Sequence, residues 1–457
     1  MQGPRDSSLS VRLFHGLTLA FLLVALILGG ASRAEVISSD IVGLAALPLL
    51  GVSLWRLRAG LVATWRGPLI LLACVVALPL LQLIPLPAGL WTALPGRAPV
   101  VEGLRAAGLQ PGWAPLTLSP QATWASLLSL LPACALFLAA LTVDAATRMR
   151  LVLAVLAVAA VSVVLGAAQL AGGEDSPLRF YAITNKGAAV GFFSNRNHLA
   201  SMLIVSAVLA SALATLAAVH RPARKVSVGA ALCLIGLVIV GVGMTGSRAG
   251  LLLLFPAGLG AMALAWRAGV GHGRGKAILG LLVGGFLGAV VVVRLSFGQA
   301  IDRFQTGFSD DVRVTAAGVA WKAIKAFAPV GAGFGAFVPV YKMFEPPEAV
   351  INTYINHAHD DWIEVVLEGG LPAVLLLVAF LVWFCRTAWT LWRQGGPEQT
   401  LARAGSLCVL LLLAHSAMDY PLRTPVMMSL FALSCALMLA APAPTRARSG
   451  ARQVAPV

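Results

Sequence analysis

An all-α polytopic membrane protein is the fold class this sequence predicts, and three observations predict it. The 457 residues are 59% hydrophobic and 11% charged, with a mean hydropathy of +0.88, outside the range of soluble globular domains. Apolar runs recur from Leu13 almost to the C-terminus, each near the roughly 20 residues that cross a hydrocarbon core of about 30 Å. The basic residues gather in alternate connections between those runs, which is how an inner membrane protein orients itself.

Twelve candidate spans follow in order: 13–31, 41–55, 67–86, 124–143, 151–171, 198–219, 226–245, 250–266, 278–296, 371–391, 404–420 and 425–443, the second and eighth being short. With both termini cytoplasmic, 19 of the 33 basic residues fall in cytoplasmic segments or at inner span ends, against Asp6, Asp144 and Glu398 alone among the acidic ones. The net charge of +15 is therefore a positive-inside signature, and a nucleic-acid partner loses its support. The whole chain, 1–457, reads as one integral membrane domain of about 12 helices. Its first span is read as a retained helix, with "GGASRAE" a weak cleavage-site candidate. Cys74, Cys134, Cys233, Cys385, Cys408 and Cys435 lie in or beside apolar runs without a C-x-x-C pair, and read as small buried hydrophobes.

On this topology the long loops, 87–123, 172–197 and 297–370, are all on the outer face. The first is rich in Pro, Gly and Trp, so it is expected to lie along the interface, anchored by Trp91, Trp113 and Trp124. The last is too long for a mere connector and is expected to carry short helices. Within it "DVRVTAAGVAWKAIKAF" has helical spacing, with Val312, Ala316, Val319, Ala320, Ile324 and Phe327 opposed to Arg313, Lys322 and Lys325. That pattern predicts an amphipathic helix at the membrane surface. The glycines of "APVGAGFGAF" are spaced G-x-G-x-G with no strand before them, so they predict a turn or close backbone approach rather than a nucleotide loop.

"NTYINHAHDDWIEVVLEGGLP" concentrates the titratable groups. A helix there places His357, Asp361, Glu364 and Glu368 on one face, with Asp360 and Asp361 favouring its positive N-terminal end. His-x-His-x-Asp invites a binuclear metal reading, but Trp362 stands where the last histidine belongs and His15, His198, His220, His272 and His415 are scattered singly. No metal site is expected, since a catalytic zinc takes three protein ligands. Arg196, Arg248 and Arg313 fall on the outer side, against the cytoplasmic bias of the other basic residues. A guanidinium near hydrocarbon must be paired or line a wet cavity. Three together suggest a bound diphosphate, whose oxygens match the planar fork of donors. His198 reads as an interfacial residue, His415 as a buried polar contact, and Asp419 with Arg423 as a local ion pair across a short outer turn.

"GFFSNRNHLA", "TGSRAG" and the stretch from "DVRVTAAGVAWKAIKAF" to "NHAHDDWIEVVLEGGLP" together resemble the O-antigen ligase and O-antigen polymerase superfamily of bacterial envelope glycosyltransferases. The resemblance runs from about 150 to 390. It implies a GT-C-like fold, a glycan donor carried on undecaprenyl diphosphate, and an inverting, metal-independent transfer on the periplasmic side without cofactor. It implies that Arg196, Arg248 and Arg313 hold the diphosphate, and it aligns His359 with the family's H-N-x-x-L-like segment and Glu368 with Gly370 as its E-x-G. Asp360 stands where the family commonly has Asn, and Ile363 replaces Leu.

In that reading an acceptor hydroxyl, on lipid A-core or a growing glycan, attacks the donor's anomeric carbon. Imidazoles titrate near neutrality, so His359 is expected to take the proton or orient the acceptor, with Asp360, Asp361 or Glu364 orienting the ring and His357 in reserve. An exopolysaccharide polymerase or protein O-oligosaccharyltransferase shares this donor. A transporter or flippase would share the span count, but it should show inverted repeats and charges near mid-span.

Overall fold

The computed structural model describes residues 4–33, 36–57, 59–220, 225–270, 308–350 and 355–439. Helices α1 (Pro4–Leu28), α2 (Ile37–Arg56), α3 (Ala59–Thr64) and α4 (Arg66–Gln82) lead to a loop with two short helices, α5 (Ala88–Trp91) and α6 (Ala98–Ala106). Strands β1 (Pro85–Leu86) and β2 (Ala114–Pro115) close the base of that loop as an antiparallel pair. There follow α7 (Pro120–Ser129), α8 (Leu131–Thr142), α9 (Ala145–Ala171), α10 (Arg196–His220), α11 (Lys225–Thr245) and α12 (Arg248–Arg267). The described C-terminal part holds α13 (Phe308–Phe327), α14 (Phe337–Phe344), α15 (Asp361–Arg393), α16 (Thr400–Ser416) and α17 (Pro425–Leu437).

Among the described residues eight helical stretches are long and apolar enough to cross a membrane, and Arg66–Gln82 and Pro425–Leu437 are shorter apolar helices. Eleven of the twelve expected spans fall on helices; the ninth, 278–296, lies outside the described residues. The fold is thus all-α and polytopic. Its main core is built from the facing sides of α1, α2, α8, α9, α10, α16 and α17, with Leu22, Leu26, Leu136, Val155, Val208 and Met427 buried. Large apolar side chains on the opposite faces, such as Leu44, Val164, Leu252 and Val382, are exposed. Lipid is the solvent that makes such faces stable. Cys134, Cys408 and Cys435 are buried as expected, whereas Cys74, Cys233 and Cys385 sit on outward faces.

A second, smaller core lies beside the first. Ala316, Val319, Ala320, Ala323 and Phe327 of α13 pack against Phe337, Val340 and Tyr341 of α14 and Leu367 of α15. The amphipathic helix expected at the membrane surface therefore spends its apolar face on protein. The long first loop is also more than an interfacial anchor. Arg97 is buried, donates to Leu116 O (2.7 Å) and Gly331 O (3.2 Å), and lies 5.1 Å over the Phe327 ring. Trp91 is buried and donates to Gly112 O at 2.8 Å, while Trp113 and Trp124 stay exposed. Trp91 thus holds the loop's own fold.

The glycine-rich turn is what brings these pieces together. Gly331, Gly333 and Gly335 all have positive φ (84°, 106° and 80°), and a Cβ at each would meet the α15 backbone, Thr117 or Ala122. The turn runs along α15: Ala332 N donates to Leu367 O (3.0 Å), Gly333 N to Glu368 O (2.9 Å) and Leu371 N to Pro329 O (2.7 Å). At the last contact α15 is broken at Gly370 (φ 60°, ψ −154°), a conformation essentially reserved for glycine.

Gly370→Ala is therefore expected to cost about 2 kcal/mol or more, through backbone strain and collision of its Cβ with Pro329 O. Thermal unfolding in detergent measures it; unchanged stability would show that the break is dispensable.

Candidate active site

The N-terminal half of α15 begins on a side-chain cap. Asp360 Oδ1 accepts from Trp362 N (2.9 Å) and Ile363 N (3.1 Å), satisfying two of the donors a helix start leaves open. Asp361, Glu364 and Glu368 then share one face, as their spacing predicts, and all three are buried; His357, expected on that helix face, instead precedes the helix, which starts at Asp361, and meets Glu364 from the incoming turn. A single arginine faces them. Arg423, from the 3₁₀ turn Pro421–Arg423, reaches Asp361 Oδ1 with Nε (3.3 Å), Glu364 Oε1 with Nη2 (3.4 Å) and Glu368 Oε2 with Nη1 (3.1 Å). Burial alone would depress this guanidinium's pKa, but Glu364, Glu368 and Asp361 raise it above the ordinary arginine value.

The remaining carboxylate oxygens fix the neighbouring chain. Ser416 Oγ donates to Asp361 Oδ2 at 2.9 Å. Glu368 Oε1 accepts from Gly335 N (2.9 Å) and Phe337 N (3.2 Å), which ties the glycine turn to the cluster. Glu364 takes the His357 ring by Nδ1 (2.9 Å) and the Ala358 amide (2.9 Å). One arginine thereby sets α15, the glycine turn and the histidine segment in register.

His359 follows directly and adopts φ 54°, a left-handed conformation unusual for a residue with a side chain. Its Nδ1 meets Asp419 Oδ1 at 3.2 Å. Burial would raise the Asp419 carboxyl, yet the hydrogen bond from His359 and the surrounding imidazoles hold it well below the usual carboxylate range. Tyr420 is the hub of the ring contacts, with centroids 4.4 Å from His357, 5.0 Å from His359 and 5.3 Å from His198. Burial, and then the Asp419 charge, push its phenol up to about 12, so it stays protonated.

Arg196 and Arg248 arrive at the same end of the bundle from two other helices. Each is the first residue of its helix, α10 and α12, and each is exposed. Arg196 Nη1 is 3.7 Å from where a Gly246 Cβ would stand, two residues before Arg248. Cations at helix N-termini work against the helix dipole. The side chain of Arg313 lies outside the described residues; its helix, α13, packs on α15.

Three expectations are corrected. His359 is held by Asp419, not by Asp360, Asp361 or Glu364, because those three carboxylates are committed to the helix cap, to Arg423 and to His357. Asp419 and Arg423 do not pair with each other across their turn; each instead reaches a different part of the histidine segment. His198 is fully buried against Tyr420 rather than interfacial. His415 is a buried polar contact, as expected, bonded through Nδ1 to Ser201 Oγ at 2.7 Å. Among the described residues no group of His, Cys, Asp and Glu is arranged to hold a metal ion. The signal for the missed residues was present in "HSAMDYPLRTP": an aspartate and an arginine between two apolar runs are expensive unless they pair with something distant.

An all-α polytopic protein with a buried arginine–carboxylate–histidine cluster at one end of its bundle is the class that fold and site define. Residues 231–378 match the family model described as O-antigen ligase. The match bears out the resemblance to the O-antigen ligase and polymerase superfamily and implies a glycosyltransferase-like enzyme. It covers Arg248, Arg313, His359 and Glu368, while Arg196, Asp419, Tyr420 and Arg423 lie outside it. No curated protein matches the chain.

Removing Arg423 leaves buried Asp361 and Glu368 without a counter-charge and Glu364 with His357 alone. Arg423→Met is expected to lose about 3–5 kcal/mol, and Arg423→Lys to regain only part, since a point charge cannot serve three partners at once. Thermal unfolding of both variants measures this, and an unchanged Arg423→Met would contradict the assignment. Asp419 gives a pH-dependent effect. Its folded pKa lies below the unfolded value of about 3.9, so its contribution is fully present above about pH 4 and is lost as pH falls through the folded value. The stability difference between wild type and Asp419→Asn is expected to shrink as pH falls below about 4; a gap that stays constant from pH 4 down to pH 2 would refute it.

Proposed function

We propose that this chain is a ligase-type glycosyltransferase that moves a glycan from undecaprenyl diphosphate to a sugar hydroxyl of lipid A-core. It works at the periplasmic face of the inner membrane, with inversion and without a metal ion. The observation that carries the reading is the O-antigen ligase match over residues that include His359, whose Nδ1 is paired with buried Asp419.

With Nδ1–H directed to Asp419, His359 Nε2 presents its lone pair to an acceptor hydroxyl. The hydroxyl proton passes to Nε2 as the acceptor oxygen bonds the anomeric carbon. The bond to phosphate breaks in the same displacement and its electron pair leaves on undecaprenyl diphosphate. Attack from the face opposite the leaving group inverts the anomeric centre. Asp419 stabilises the imidazolium that forms. Arg196 and Arg248, with the amino ends of α10 and α12, take up the charge developing on the diphosphate, and Arg313 is assigned to the same group by resemblance. Asp360, Asp361, Glu364 and Glu368 are positioning groups, and His357, tied to Glu364, belongs with them.

A gene deletion complemented with variants tests the reading. Deletion is expected to remove long glycans from lipid A and accumulate lipid-linked polymer. Wild type restores the ladder, His359→Ala does not, and Arg196→Ala and Arg248→Ala each lower transfer by roughly 10²-fold or more. Loss of chain length with single repeats retained would point to a growing-glycan acceptor, and His359→Ala with an intact ladder would overturn the assignment of the base.

A further inference from the structure

His198 is the buried imidazole that the reaction above leaves unused. It lies one residue beyond Asn197 in the first turn of α10 and is completely buried. Neither of its ring nitrogens has a hydrogen-bond partner among the described residues. An imidazole always carries at least one N–H donor, and a buried donor without a partner is rare and costly. A second orphan lies in the turn whose Tyr420 packs on His198. Asp419 Oδ2 is buried without a hydrogen-bond partner among the described residues, while Oδ1 of the same carboxylate is the one that takes His359. Tyr420, next in sequence to Asp419, packs its ring edge-on to His198 at 5.3 Å and to His359 at 5.0 Å. The charged or titratable groups that His198 faces are Asp419, His415, His357 and His359, and Asp419 is the one anion among them.

We propose that His198 is a positioning residue that donates to Asp419 Oδ2 in the working enzyme, making Asp419 a carboxylate shared by two imidazoles. The two orphans have complementary chemistry, one a donor and the other an acceptor, and Tyr420, whose ring packs on His198, is the chain neighbour of Asp419. A carboxylate fixed at both oxygens cannot rotate. Its Oδ1 then holds the His359 Nδ1–H, and that tautomer leaves Nε2 free for the acceptor hydroxyl. His198 keeps its proton throughout, so no bond beyond those of the transfer itself forms or breaks.

This rests on His359 being the base, and the test separates the two claims. His198→Phe retains the ring packing on Tyr420 without an N–H, and His198→Asn retains a donor without the ring. Transfer is measured in membrane vesicles carrying the cell's own undecaprenyl-diphosphate-linked glycan, with lipid A-core as acceptor. The full chain labelled with ¹⁵N-histidine, in lipid nanodiscs, gives the His359 Nδ1–H signal independently of activity. His198→Phe is expected to lower kcat about tenfold or more at unchanged KM and to weaken that signal, and His198→Asn to restore both. Equal loss in both variants would assign His198 to packing and overturn the proposal, as would unchanged kcat and signal in His198→Phe. If His359→Ala retains transfer while the His359 signal still depends on residue 198, the assignment of the base fails and the hydrogen bond stands.

Discussion

The arrangement at the histidine-bearing end of the bundle depends on one guanidinium. Arg423 faces Asp361, Glu364 and Glu368 at once, and among the described residues no other arginine or lysine is paired with them; His357 adds its ring to Glu364 alone. Three carboxylates on one helical face repel one another and lose their hydration when buried. Neither cost is offset unless a cation with several directed donors lies along that face. Arginine meets the geometry because its fork presents Nε, Nη1 and Nη2 in different directions. From these anchored carboxylates the order spreads outward. Glu364 fixes His357 and the Ala358 amide, Glu368 fixes the glycine turn, and Asp361 fixes the turn that carries Asp419 and Tyr420.

That scaffold also explains why His359 tolerates a left-handed backbone. A conformation of this kind costs roughly 1–3 kcal/mol, and it persists only where both flanks are held. On one side Ala358 N is bound to Glu364, and on the other Asp360 caps α15. Between two fixed points the chain has little freedom except to turn sharply, and the turn delivers the ring to Asp419. Asp360 also shows why a carboxylate can replace the amide common at this place in the family. The role is to accept backbone N–H groups, and the side-chain oxygen of either residue does so.

Much of this was legible in the sequence, for physical reasons. Apolar run length reports directly on the bilayer, so the runs that fall on helices could be read. Helical periodicity put Asp361, Glu364 and Glu368 on one face because 3.6 residues per turn is a local property. The identity of their partner was not local. Arg423 lies 55 residues beyond Glu368, and nothing in "HSAMDYPLRTP" says which distant group it meets. The apolar face of α13 was equally ambiguous, because lipid and a protein core attract the same side chains; only the tertiary structure assigns it to α14 and α15. The placement of His198 failed for the complementary reason. Its position at the start of an apolar run fits an interfacial site, and it is buried only because Tyr420 arrives from another helix connection.

The proposed chemistry needs charges of both signs. Asp361, Glu364, Glu368 and Asp419 are buried, and their formal charge exceeds that of Arg423. Arg196 and Arg248, proposed for the leaving group, stand at the positive ends of α10 and α12. A sugar undergoing displacement develops positive charge at the anomeric carbon, gains an imidazolium on the attacking side and sheds a diphosphate on the other. A field with carboxylates behind the base and guanidiniums around the leaving group stabilises each of these charges where it forms. Reversing either half would favour the separated reactants instead. The concentration of titratable residues in so apolar a chain is therefore an electrostatic requirement: low-dielectric surroundings strengthen the field, and every charge that produces it must be fixed by a partner.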